Sequence, residues 1–77
     1  MTELLFTDLD LAFTFLETAR ISRSAETQER NVRHATKAYW DVFAKALEIE
    51  MPDRTREQLQ ARLRDLEAQI ANFRGIE

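Results

Sequence analysis

Residues 25–51, AETQERNVRHATKAYWDVFAKALEIEM, decide the fold of this 77-residue chain. The stretch contains no Gly and no Pro, so no residue in it interrupts a helix. Its apolar residues fall on two faces. Val32, Ala35, Tyr39, Val42, Ala46 and Ile49 recur three and four residues apart, the spacing of one side of a helix. Thr36, Trp40, Phe43 and Leu47 form a second row, displaced around the same cylinder. A helix apolar on one side needs one neighbour, and a helix apolar on two sides needs two. The stretch therefore reads as the middle helix of three. Phe43 is expected in the core, and Trp40 with Leu47 in a groove that receives the third helix.

Towards the N-terminus the pattern continues. Thr7 is the preferred N-cap of the first helix, with Asp8 and Asp10 in the first turn facing the positive end of the helix dipole. Phe6 before the cap and Leu11 after it have the spacing of a hydrophobic staple. An earlier start, capped by Thr2, is the alternative. Leu9, Ala12, Phe13, Leu16 and Ala19 form the core stripe, and Leu4, Leu11 and Phe15 lie to one side of it. Ile21-Ser22-Arg23-Ser24 is the expected break, because serine competes for backbone hydrogen bonds and favours caps. Ser24 then caps the middle helix, and one continuous helix from Asp8 to Ile49 is the rival. Glu26–Arg30, Glu29–Arg33 and Asp41–Lys45 are acid-before-base pairs four apart, which mark a solvated face.

Towards the C-terminus, Pro52 stops the middle helix, because the residue before a proline is pushed out of the α region. Asp53 or Thr55 can cap the third helix, and Thr55 with Gln58 has capping-box spacing. Leu59, Leu63, Leu66, Ile70 and Phe73 then form one narrow stripe. Gly75 suits a left-handed residue after the helix, with Ile76 folding back on the last turn. The expectation is an all-α, three-helix, up-down-up bundle occupying residues 1–77 as a single domain.

Composition bounds the function. A chain of this length holds one modest core, so its stability rests on good helix packing or on association. It has no cysteine, which removes disulfides and thiolate metal ligands and fits a reducing cytoplasm. No basic run precedes an apolar stretch at the N-terminus, and no apolar run is long enough to span a bilayer, so a soluble, non-membrane protein is expected. The net charge of −3 argues against general nucleic-acid binding. Its distribution alternates along the chain. Residues 1–18 hold acids and no base, residues 19–40 are mostly basic, 41–53 acidic, 54–64 basic and 65–77 acidic again. Alternating blocks suggest charge matching between neighbouring helices.

Tyr39-Trp40-Asp41-Val42-Phe43-Ala44-Lys45-Ala46-Leu47-Glu48-Ile49-Glu50-Met51-Pro52 resembles the second helix and exit turn of a tetratricopeptide repeat, with an aromatic, then Lys-Ala-Leu, then a proline. The likeness covers about a fifth of the chain. The Trp, Leu-Gly and Tyr pattern of the first repeat helix is absent upstream, and the arms are longer than one repeat. The resemblance implies a helical hairpin with small residues at the crossing and a protein-binding role.

No constellation for catalysis is found, and none for a metal or cofactor. His34 is the sole histidine and has Arg33 and Lys37 beside it, so it reads as a solvated surface residue. Asp8 and Asp10 are two apart and do not face each other on a helix. Glu48 and Glu50 stand near a helix end where acids are mildly unfavourable, and the helix itself gives no reason for them. The single glycine, Gly75, rules out a glycine-rich phosphate loop.

Two surfaces remain. Arg20, Arg23, Arg30, Arg33 and Lys37 converge at the turn of a helix-one/helix-two hairpin. They form an anion or nucleic-acid patch, or else pair with Asp65, Glu67 and Glu77 of the third helix. No aromatic stands among them to stack on bases, and pairing is the preferred reading. Leu4, Leu11 and Phe15 have no evident cover within one chain, and a small domain with a spare apolar stripe buries it against another chain. The expected function is a non-catalytic protein–protein interaction module that self-associates as a homodimer through Leu4, Leu11 and Phe15. The alternative is a small anion or nucleic-acid binder using the arginine end.

Overall fold

The described residues form three α-helices: α1 (Thr2–Ile21), α2 (Ala25–Glu48) and α3 (Asp53–Gly75). The computed structural model describes residues 2–75 and, of their side chains, those of residues 3–73. The Cα trace extends 41 × 20 × 16 Å, little longer than its helices. Connections of a few residues leave consecutive helices antiparallel. The cross-helix contacts fit that arrangement: Phe15 of α1 meets His34 of α2 near the first turn, and Arg56 of α3 reaches back to Ala46 and Ile49 at the second. The α1–α2 pair has the most extensive contact, and α3 lies against both.

The first helix begins at Thr2, a turn earlier than the preferred start after Thr7. Leu5 explains the difference. It is 2% exposed and extends the buried row to Leu5, Leu9, Ala12, Leu16 and Ala19, which holds only if the first turn is helical. Thr7, Asp8 and Asp10 accordingly lie inside the helix and not at its cap. Phe13, expected in the stripe, is half-buried at its edge.

The break falls at residues 22–24, so the continuous-helix alternative does not occur. Ser24 has extended backbone angles, and its hydroxyl accepts a hydrogen bond from the Thr27 amide at 3.2 Å, the N-cap arrangement. Its own amide donates to Ser22 Oγ at 3.2 Å, and Gln28 Nε2 donates to the Ser22 carbonyl at 3.1 Å. The two serines therefore close the turn without a glycine.

At the second turn α2 ends at Glu48 and Ile49 is extended, three residues ahead of Pro52. The proline disfavours the helical region at Met51, so α2 stops earlier than Pro52 alone requires. The Pro52 carbonyl accepts the Arg56 amide at 3.0 Å, so Pro52 holds the position ahead of α3 and both expected caps, Asp53 and Thr55, sit inside it. An acid in the first turn remains favourable to the helix dipole, which gives Asp53 its place. Gly75 is the last helical residue and has no positive φ, so it does not adopt the left-handed ending expected of it. Ile76 and its expected fold-back lie outside the described residues.

Leu59, Leu63, Leu66 and Ile70 of α3 are buried against Val32, Ala35, Val42 and Ala46 of α2 and the α1 row, with Phe73 packed on this cluster. Every buried side chain among the described residues is apolar, and no buried polar atom among them lacks a partner. At about 25 cal/mol per Å² of apolar surface, this cluster is the main stabilising contribution to folding.

The second face of α2 departs from expectation. Trp40 is 59% exposed, Phe43 40% and Leu47 72%, so α3 does not cover them. The cause is the width of α3. Its stripe is one residue wide and joins the cluster that holds Val42 and Ala46 of α2, with Tyr39 packed against it, while the positions next to the stripe are polar: Arg62 and Asp65 on one side, Gln60, Arg64 and Glu67 on the other. A helix with so narrow an apolar edge fills one groove and stops.

Candidate interaction surface

The exposed flank of α2 is built by helical register. Trp40, Phe43 and Leu47, at steps of three and four, share one side of the helix. The aromatic rings of this flank and of Tyr39 beside it touch one another. Trp40 meets Phe43 edge-on with centroids 5.8 Å apart, Tyr39 meets Trp40 edge-on at 5.1 Å, and Tyr39 stacks on Phe43 at 6.1 Å. Such contacts hold the exposed rings in fixed positions, which lowers the entropy lost when a partner binds. Tyr39 is the inner member, half-buried between this flank and α3. Burial raises its hydroxyl pKa above the usual tyrosine value, and the nearby Glu67 carboxylate on α3 adds to the rise.

The stripe on α1 divides. Leu4 and Leu11 are exposed, at 65% and 52%. Phe15 is partly buried against the core, and its ring lies 5.2 Å from that of His34. Phe15 is thus already engaged within the chain. His34 itself is exposed, as expected, with its ring against Phe15. Among the described residues no three His, Cys, Asp or Glu side chains converge as metal ligands would. No helix among them is long and apolar enough to cross a membrane.

The arginine end is occupied by local ion pairs. Arg20 engages Glu17 at 3.2 Å, Arg30 engages Glu26 at 3.8 Å and Arg33 engages Glu29 at 3.4 Å, each pair exposed and on one helix. The pairing expected with α3 takes a different form: Asp65 accepts from Gln69 at 3.4 Å, Glu67 faces Tyr39, and Glu77 lies outside the described residues. The Glu26–Arg30 and Glu29–Arg33 pairs follow the expected spacing.

Two cationic contacts carry information that the sequence pattern alone did not show. Arg56 donates from Nη1 to the Ala46 carbonyl at 3.1 Å and from Nη2 to the Ile49 carbonyl at 3.0 Å. It thereby satisfies carbonyls at the end of α2 and ties α2 to the first turn of α3. A base in the first turn of a helix is unfavourable to its own dipole, and that misfit was the available signal. Arg62 donates to Asp10 Oδ1 at 2.9 Å and sits 5.7 Å above the Phe6 ring, joining α3 to α1. Beside this pair lies a shallow hollow lined by Asp10, Phe13, Ala61, Arg62, Asp65 and Gln69. A second, more polar hollow at Glu50, Met51, Asp53 and Arg56 borders the α2–α3 turn.

No protein-family model, curated protein or solved structure matches the chain.

Proposed function

We propose that the chain is a non-catalytic protein-interaction module that associates with its own copy through large apolar side chains left outside its core. One observation carries this reading. The core closes without Leu4, Leu11, Trp40, Phe43 and Leu47, and all five stand exposed on ordered helices. Leaving a leucine or an aromatic in water forgoes about 1.5–3 kcal/mol for each side chain that could be buried. The aromatic members are of the types that dominate binding energy at interfaces. The likeness of residues 39–52 to a tetratricopeptide helix accords with such a role, and a chain without cysteine suits the cytoplasm.

An anion- or nucleic-acid-binding role for the arginine end has less support, since Arg20, Arg30 and Arg33 already face acids of their own helices. Salt separates the two readings. Sedimentation equilibrium from micromolar to about millimolar protein is expected to show dimer that persists or tightens in high salt, as apolar burial does. Binding through phosphates instead weakens steeply with salt. A chain that stays monomeric over the whole concentration range contradicts self-association.

A further inference from the structure

We infer that the α2 flank is the self-association surface, and that a second copy lies across it antiparallel, about a twofold axis near residues 42 and 43. This rests on the self-association reading and names the site and pairing for it. Lys37 and Glu48 of α2 are both exposed charges. They are eleven residues apart, which is three turns of helix, so they occupy the same edge of the flank about 16 Å from each other. At that separation they do not pair within one chain. Their midpoint falls between residues 42 and 43, in the centre of Trp40, Phe43 and Leu47.

A twofold contact requires a surface that matches itself after reversal. This flank does. Its centre is apolar, a base borders one end and an acid the other. An antiparallel copy sets Trp40, Phe43 and Leu47 against the same three residues of the second chain, and brings Lys37 of each chain to Glu48 of the other, twice per dimer. The pairing also gives Glu48 a reason to exist. An acid in the last turn of α2 opposes the helix dipole, and only Lys45 precedes it as a base in that turn. Lys37 of the second copy supplies the missing positive charge.

The α1 stripe makes a poorer match. Phe15 is turned to His34, and what remains exposed is Leu4 and Leu11 alone, beside Asp8 and Asp10.

The test is sedimentation equilibrium at low ionic strength on the whole chain and four variants, with circular dichroism to show that each is helical. Because all the altered residues are exposed, folding is expected in every case. Trp40→Ala/Leu47→Ala is expected to raise the dimer Kd about thirtyfold or more. Lys37→Glu and Glu48→Lys are each expected to raise it about tenfold, since two contacts per dimer turn repulsive. Mixing these two variants restores opposite charges at both contacts, so the mixture is expected to form a heterodimer of near-parental affinity. Failure of the mixture to recover overturns the antiparallel pairing. If Leu4→Gln/Leu11→Gln abolishes the dimer and Trp40→Ala/Leu47→Ala leaves it intact, the α2 site is wrong although self-association stands. A parental chain that is monomeric at about millimolar concentration overturns both.

Discussion

Helix α2 carries two apolar rows with opposite fates. Val32, Ala35, Val42 and Ala46 are buried, while Trp40, Phe43 and Leu47, only a few positions around the same cylinder, face water. By residue type the exposed row is the more hydrophobic of the two. What separates them is therefore the reach of the neighbours. The α1 row and the narrow α3 stripe meet over the first face, and the polar residues flanking that stripe end the cover before Phe43. Apolar content says that a face wants a partner. Which partner it finds depends on the width of the other helices.

The largest effect is expected on the buried side. Leu66→Ala removes a fully buried side chain at the centre of α3 and is expected to cost about 2–5 kcal/mol, enough to unfold much of so small a domain. Phe43→Ala, measured in the same urea titration on dilute protein, is expected to cost well under that range despite deleting a larger side chain. Equal losses would show that Phe43 belongs to the core after all.

A smaller effect tests what holds the end of the buried row. Arg56→Gln removes two charged hydrogen bonds to the Ala46 and Ile49 carbonyls and is expected to cost about 2 kcal/mol. Arg56→Lys should recover only part of this, because a single ammonium does not reproduce the fork. A neutral Arg56→Gln variant would mean that the turn holds without its latch.

These outcomes bear on what was legible in the sequence. The three helices, the break at Ser22–Ser24, the first face of α2 and the α3 stripe from Leu59 to Ile70 all show in the spacing of apolar residues, because burial on a helix follows its turn. Local pattern misplaces the start of α1, because Thr7 has cap chemistry that the burial of Leu5 outweighs. Local pattern misassigns the exposed row of α2, because periodicity ranks faces by composition and is silent on how far a neighbour extends. Contacts such as Asp10 with Arg62 join positions 52 residues apart, and no local spacing encodes them.

Smaller still is the expected effect on the exposed side. Leu47→Gln should change the stability of the dilute monomer by no more than about 0.5 kcal/mol, as surface substitutions do. A loss above about 1.5 kcal/mol would place Leu47 in the intramolecular core. Between the rows, Tyr39 supplies a pH probe. Its raised pKa means that its contribution is fully present below the unfolded tyrosine value of about 10 and is lost as pH rises through the folded one. The parental chain is therefore expected to lose stability in that alkaline range more than Tyr39→Phe does. Parallel pH curves for the two would contradict the partial desolvation of the hydroxyl.

The exposed row can be watched directly, because Trp40 is the sole tryptophan. Its fluorescence emission, followed from submicromolar to about millimolar protein, reports whether the indole stays in water. Emission of a solvated indole is expected at the lowest concentrations, with a shift to shorter wavelength as protein is added that moves to higher concentration in Leu47→Gln. Emission that stays constant across the series would contradict the claim that this flank is where the chain meets its own copy.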